Sequence, residues 1–372
     1  MIVGVPKEVK VHEERVGLVP GSVRELTRRG HRVLVERDAG KGSGWDDAAY
    51  ESAGAQLART AEEVFAAAEL IVKVKEPQPA EIARLRPRQA LFTYLHLAPD
   101  RAQTEGLLRS GAACIAYETV TDSAGGLPLL APMSEIAGRM AVHVGAHLLE
   151  KGQGGCGVLL SGVPGVPPAK VAILGAGVAG SNAVRIAVGM GADVTVLNPT
   201  RPRLAELDAR YGGRLRTVFS TAETVEREEA AAHLVVGAVL VPGAAAPKLV
   251  SRALLRRMTP GAVIVDISID QGGCCETSRP TTHAQPTYLE EGVVHYCVTN
   301  MPGAVARTST EALNNATLPF VLALAELGWR RALLADAHLR HGLNVCAGRV
   351  THPAVAAALG LELLPAEQVL ER

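Results

Sequence analysis

Residues 170–180 read Lys-Val-Ala-Ile-Leu-Gly-Ala-Gly-Val-Ala-Gly, and this stretch decides the fold. Val171 to Leu174 is an apolar, strand-type run that passes directly into Gly175-Ala176-Gly177-Val178-Ala179-Gly180, after which helix formers continue to about Met190. The first glycine permits a tight turn, the second lets backbone approach a pyrophosphate, and the third allows close helix–strand contact, with phosphates at the helix N-terminus. A bare G-x-G-x-x-G is a weak signal, but between a strand and a helix it is a strong one. Asp193 to Leu197 supplies the next strand and completes a βαβ unit.

About twenty residues past the glycines, a dinucleotide site usually has an acidic residue that accepts hydrogen bonds from the adenosine ribose. Here Asn198 stands there, followed by Pro199, Thr200, Arg201, Pro202 and Arg203. An amide has one acceptor oxygen and no charge to repel a 2′-phosphate, which Arg201 and Arg203 are placed to contact. NAD is the expected cofactor, with discrimination against NADP weakened.

Outward from this unit, a helix near Leu204 to Tyr211 and strands at Leu215 to Phe219, Leu234 to Ala238, Ala262 to Ile267 and Val293 to Val298 extend a doubly wound series. Before it, strands are expected at Met1 to Val5, Arg32 to Glu36, Leu70 to Val74, Ala90 to Leu95 and Ala113 to Tyr117. Helices are expected at Ser22 to Arg29, Ala61 to Ala68 and Arg101 to Arg109, the last capped by Asp100. Met133 to Lys151 reads as one long amphipathic helix and Gly152 to Pro168 as a loop. After Ser309 a long helix runs to about Leu327, and shorter helical segments to near Leu370 are expected to pack back on the N-terminal part. The fold class is therefore α/β with two doubly wound domains: a Rossmann dinucleotide-binding domain over 131–308, inserted in a discontinuous flavodoxin-like substrate domain over 1–130 and 309–372.

Composition removes several function classes. Lys and Arg total 38 and Asp and Glu total 38, and this balance argues against a nucleic-acid partner. No apolar run reaches the 18 or so residues of a membrane span. The N-terminus lacks the basic and apolar regions of a secretory leader, so a cytoplasmic location is expected. Six cysteines without a C-x-x-C pair fit reduced thiols, and the adjacent Cys274 and Cys275 read as an incidental or a redox-active pair.

Arg15 lies in the loop after the first strand, Lys75 at the end of Ile71 to Val74, and His96 at the end of Leu91 to Leu95. Open α/β sheets bind ligands at the carboxyl ends of their strands, and that shared placement lifts these three above the other basic side chains. Asp270 follows the strand Val263 to Ile267 where it runs into Gly272-Gly273; it is either a site carboxylate beside the nicotinamide position or an Asx-turn residue. His143 and His147 have a metal-compatible i, i+4 spacing, yet no third ligand completes a motif, so no metal is expected. Ser161-Gly162-Val163-Pro164-Gly165 lacks the context of a serine nucleophile.

These residues sit in segments that together resemble the alanine dehydrogenase family, shared with the nucleotide-binding subunit of nicotinamide nucleotide transhydrogenase. The segments are GVPKEVKVHEERVGLVP at 4–20, VKVKEP at 72–77, LFTYLHLA at 91–98, LLAPMSEIAGRMA at 129–141, GVPGV at 162–166, the glycine loop, DISIDQGGCCETSRPTTH at 266–283 and HYCVTNMPGAVARTST at 295–310. The resemblance implies reversible oxidative deamination of L-alanine to pyruvate and ammonia with NAD, by a homohexamer. It implies that Arg15 holds the substrate carboxylate, that Lys75 binds substrate oxygen, that His96 is the general acid/base, and that Asp270 orients water or ammonia. It implies that Asn300 contacts substrate. Ser134, Gly175, Gly177, Val178, Gly180, Asn198, Arg203, Ser220, Val239, Leu240, Ile267, Asp270 and Met301 are the implied cofactor lining. Asn198, Ser268, Thr299 and Cys275 depart from the family pattern. The alternatives are a paralogue acting on another small 2-amino acid or imine, possibly with NADP, and a transhydrogenase subunit.

Overall fold

Strands that are apolar on both faces and alternate with helices bury both faces only when helices cover the sheet on each side, the arrangement of parallel α/β folds. The computed structural model, which describes residues 1–240 and 246–371, has two such sheets. They belong to two units: Met1–Met133 with Val305–Arg372, and Ser134–Ala304.

The first sheet contains β1 (Ile2–Val5), β2 (Arg32–Glu36), β3 (Gln56–Ala58), β4 (Leu70–Val72), β5 (Ala90–Thr93) and β6 (Ala113–Ala116), all paired in parallel. The second contains β7 (Lys170–Leu174), β8 (Asp193–Asn198), β9 (Arg216–Phe219), β10 (Leu234–Gly237), β11 (Val263–Asp266), β12 (Thr287–Glu290) and β13 (Val293–Tyr296). Its order is β12-β13-β11-β10-β7-β8-β9, with only β12 antiparallel. Without that edge strand this is the Rossmann order, and the switch point lies between β7 and β10, above the glycine loop.

The tail corrects the sequence reading. It is not helical throughout, because Leu343–Cys346 (β14) and Arg349–Val350 (β15) form a hairpin that extends the first sheet antiparallel to β6. The full order there is β15-β14-β6-β5-β4-β1-β2-β3, and setting aside the three-residue edge strand β3, the parallel core has the flavodoxin-like arrangement. Ala347 and Gly348 turn the hairpin with φ of 48° and 75°, both left-handed, as a two-residue type I′ turn requires. Strands of four and two residues holding Asn344 and Arg349 show no alternation that a sequence pattern can register. β3 and β12 were missed for the same reason.

Period-two alternation is plain in the second unit. Val171 and Ile173 face one apolar cluster, with Val194, Val196, Val236 and Val265, while Ala172 and Leu174 face the other, with Leu197, Val235 and Ile264. Local signals hold at the helix ends: the Asp100 carboxylate accepts from the Gln103 amide at 2.9 Å, and Thr221 and Thr224 form a reciprocal cap. Among the described residues no helix is long and apolar enough to cross a membrane.

Charge is buried too. Lys73, fully enclosed, lies 3.0 Å from Glu8 and 2.7 Å from Glu81. Burial alone would lower its pKa, but the two carboxylates outweigh that and keep it charged. Glu229, on the helix Ala222–Ala230, is different: neither carboxyl oxygen has a hydrogen-bond partner among the described residues, and burial pushes its pKa up to about 8. From its ordinary value near 4.5 up to about 8, the folded chain keeps a proton that the unfolded chain releases, so stability falls as pH rises through that window. Glu229→Gln is expected to flatten this dependence and to raise Tm at about pH 8 relative to the parent. Thermal unfolding of both proteins across the window checks it, and parallel curves would contradict it.

Candidate functional site

In the first unit the loop after β1 is fixed from two sides. A Cβ on Gly17 would meet the Val72 carbonyl oxygen at 2.3 Å, so this loop lies directly on the backbone of β4 and only glycine fits. From the helix Ala306–Leu327, Thr310 Oγ1 accepts from the Val16 amide at 3.3 Å and Asn314 Oδ1 from the Val19 amide at 2.9 Å. Asn314 Nδ2 donates to the Gly17 carbonyl at 3.2 Å. Arg15 is thereby held with its side chain only 2% exposed. Its Nε and Nη2 donate to the two Glu13 oxygens at 2.7 and 2.6 Å, and Nη1 reaches Met133 Sδ at 3.0 Å. Burial would lower the guanidinium pKa, but Glu13 outweighs burial and the net direction is up.

Lys75 lies past the end of β4, with Nζ 3.7 Å from Glu76, which also pairs with Lys10. Despite burial, the two lysines hold the Glu76 carboxylate below its ordinary range. His96 follows β5 with its side chain 40% exposed and its backbone at φ +50°, a left-handed conformation unusual for a residue other than glycine. The Glu118 carboxylate, from the turn after β6, accepts from the His96 amide at 2.6 Å and from the Leu95 amide at 3.2 Å. The imidazole Nδ1 is 3.9 Å from Glu118 Oε1, and the ring stacks on Tyr94 at 5.8 Å between centroids. Since β1, β4 and β5 are neighbours in the sheet, Arg15, Lys75 and His96 share one sheet end.

In the second unit Gly175 has φ +100°, and a Cβ there would lie 2.5 Å from the Ala238 carbonyl. A Cβ on Gly180 would lie 1.9 Å from the Gly175 carbonyl, whereas one on Gly177 would meet nothing within 4 Å. Gly177 opens on space in front of the helix Val178–Gly189, whose first-turn amides have no side-chain cap. That cradle fits a pyrophosphate. Asn198, buried at the end of β8, accepts from the Ala176 amide at 3.0 Å through Oδ1. Its Nδ2 donates to Thr200 Oγ1 at 2.7 Å and to the Thr200 carbonyl at 3.1 Å. The Ser220 amide donates to the Asn198 carbonyl at 3.1 Å, and the exposed Arg203 lies 3.6 Å from Glu206.

Ile267 and the exposed Asp270 lie on a short 3-10 turn, Ile267–Gln271, after β11. The residue that organises this turn is Asp266, fully buried and not foreseen: it accepts from the Ser268 amide at 3.0 Å, the Cys274 amide at 2.8 Å and the Ser278 hydroxyl at 2.6 Å. Ser268 Oγ in turn accepts from the Val239 amide at 3.0 Å, beside the exposed Leu240. The Asn300 carbonyl is bonded by His283 Nε2 at 2.8 Å, Met301 is buried, and Ser134 is half-buried on the helix Ala131–Leu148. Among the described residues, one group has metal-ligating atoms close together: Asp266, Cys274 and Cys275, within 4.8 Å of one another. Asp266 is already committed to the hydrogen bonds above.

Arg15, Lys75 and His96 thus belong to one unit, and the glycine loop, Asn198, Ser220, Val239, Leu240, Ile267, Asp270, Asn300, Met301 and Ser134 to the other. Residues 4–137 match the model of the alanine dehydrogenase/PNT N-terminal domain and residues 141–353 that of its C-terminal domain. The chain belongs to the alanine dehydrogenase/PNT family. The alanine dehydrogenase of Halomonas elongata is 60% identical over the whole of both chains, and that of Mycobacterium tuberculosis 55%. A solved L-alanine dehydrogenase superposes with a TM-score of 0.93 at 52% identity, covering 97% of this chain and 99% of the other. A transhydrogenase from Sinorhizobium meliloti gives 0.80 at 27%, covering 95% of this chain and all of the other. Family and fold class are those the motifs resembled.

Tyr94, Glu118, Asp266, Thr310 and Asn314 were missed by sequence reasoning. Only Tyr94 carried a signal, since it stands two residues before His96. Asp266→Ala would strip the acceptor from two backbone amides and a hydroxyl, at a cost of about 1–3 kcal/mol. The expected result is a clear fall in Tm, measured calorimetrically; an unchanged Tm would show that the turn does not depend on this carboxylate.

Proposed function

We propose that the protein is an alanine dehydrogenase: it converts L-alanine, water and an oxidised nicotinamide nucleotide to pyruvate, ammonium, the reduced nucleotide and a proton, reversibly. The observation that carries the reading is a buried guanidinium in the loop after β1, at the same sheet end as Lys75 after β4 and His96 after β5, in a chain so similar to alanine dehydrogenases.

Arg15 Nη1 lies 3.0 Å from the Met133 thioether, a weak acceptor, and a substrate carboxylate offers a guanidinium a stronger, charge-assisted partner. Glu13 keeps the guanidinium plane fixed for that contact. Lys75 binds the oxygen of pyruvate or of the carbinolamine and offsets negative charge at the reacting carbon. His96, with an exposed ring steadied by Tyr94 and Glu118, takes a proton from the carbinolamine hydroxyl in one direction and returns it in the other. Asp270 orients the water that adds to the imine, or the ammonia that adds to the carbonyl. A nicotinamide nucleotide on the glycine loop, when bound, supplies the acceptor for the hydride leaving the substrate Cα. NAD is the nucleotide of this reading, with NADP as the alternative.

The Ser268 oxygen accepts from the Val239 amide, a tie between loops that gives this departure a local role and supports alanine over the altered substrate it first suggested. The full-length matches at 60% and 55% to alanine dehydrogenases, against 27% to the transhydrogenase, favour deamination over a transhydrogenase role. Free thiols at all six cysteines fit a reducing cytoplasm, and the homohexamer belongs to the same proposal.

With L-alanine and NAD the absorbance of the reduced nucleotide is expected to rise; no rise with alanine, but turnover of another 2-amino acid, would redirect the reading. His96→Ala and Asp270→Ala are each expected to lose at least about 100-fold in kcat with unchanged far-UV circular dichroism. Near-parental turnover in either variant would remove its assigned role.

A further inference from the structure

The end of β8 lacks the carboxylate that reads a ribose diol, and its replacement faces inward. Asn198 gives its oxygen to the Ala176 amide and both amide hydrogens to Thr200, so the side chain locks the glycine loop to the next turn. No Asp or Glu occurs from Val194 to Ala205, and the segment from Arg216 to Ala222 after β9 holds none either. Arg201, the first residue of the helix Arg201–Tyr211, is exposed, and its side chain has no hydrogen bond or ion pair with another described residue. Arg203 differs, because it shares Glu206 with Arg210.

We propose that the adenosine-ribose subsite accepts a 2′-phosphate, with Arg201 as the residue that holds it, so that this chain binds NADP at least as well as NAD. The inference rests on the dinucleotide site of the proposed function and goes beyond it in placing NADP at least level with NAD and in assigning the 2′-phosphate to Arg201. Two physical terms act in one direction. A phosphate monoester carries nearly two negative charges at neutral pH, and the carboxylate that would repel it is absent. A planar guanidinium offers paired donors matched to phosphate oxygens, and Arg201 has no competing carboxylate to leave. The Thr200 hydroxyl beside it is already turned toward Asn198, which fixes the turn from which Arg201 projects.

The test uses binding alone. Isothermal titration of the full chain compares 5′-AMP with adenosine 2′,5′-bisphosphate, which differ only in the 2′-phosphate. The bisphosphate is expected to bind about tenfold tighter, the worth of one charge-assisted contact, with an advantage that shrinks as salt is raised. Arg201→Ala is expected to abolish the advantage, read as the ratio of the two affinities in that variant. Equal or weaker binding of the bisphosphate by the parent overturns the proposal, and an advantage that survives in Arg201→Ala overturns the assignment to that residue. Failure of both nucleotides to bind would overturn the dinucleotide-site reading itself, a result distinct from a reversed preference between them.

Discussion

The pairing of Arg15 with Glu13 is the constraint on which the first unit turns. A guanidinium enclosed to this degree costs several kcal/mol in desolvation unless a carboxylate meets it with good geometry, and Glu13 does so by accepting from Nε and Nη2 through its two oxygens. Arg15 and Glu13 are two residues apart, so the pair fixes the local shape of the loop and needs the loop itself to be held. Gly17 against β4, and Thr310 and Asn314 from the helix Ala306–Leu327, provide that hold. The chain after Val305 therefore holds the Arg15 loop in place as well as covering the sheet. Beneath, Lys73 between Glu8 and Glu81 places a second buried cation on β4's continuation, and the Val74 amide donates to Glu8 at 2.7 Å.

The second unit meets the same requirement with backbone amides in place of charges. Strand ends in a parallel sheet leave amides without ladder partners, and each must be satisfied. Asn198 takes the Ala176 amide, Ser268 takes that of Val239, and Asp266 takes those of Ser268 and Cys274. The result is a row of loops tied to one another by side chains that are themselves buried, with Gly177 and Asp270 left facing outward. Rigid ties below and open positions above are what a site needs if it is to hold a charged ligand in one place.

How much of this was legible in the sequence follows from range. The glycine loop was, because its meaning depends on residues within ten positions, and so was the placement of Arg15, Lys75 and His96 at one sheet end, because Lys75 and His96 closely follow apolar runs and Arg15 lies in the loop after the first strand. Glu118 was not: a carboxylate that accepts from the amide of His96, 22 residues away, looks in sequence like any acidic residue near a turn. Thr310 and Asn314 act on a loop nearly 300 residues earlier in the chain. Asp266 was passed over for Asp270 because both lie where the same strand runs out, four residues apart, and only burial separates the anchor from the outward residue. The departure at Ser268 was legible, but its consequence needed the partner amide of Val239.

The backbone of His96 ties these observations to chemistry. A left-handed conformation costs a residue with a Cβ about 1–2 kcal/mol, and glycine would occupy it without strain. The chain keeps an imidazole there and holds it with the Glu118 carboxylate on two successive amides. The conformation also sets the ring on the face of Tyr94, whose hydroxyl is anchored to the Leu129 carbonyl at 2.5 Å and whose pKa burial pushes up, so the phenol stays a neutral platform. Strain maintained by a buried platform and a dedicated carboxylate is not explained by packing alone, since 40% of the side chain remains exposed. It fits the role proposed for that side chain at the sheet end it shares with Arg15 and Lys75.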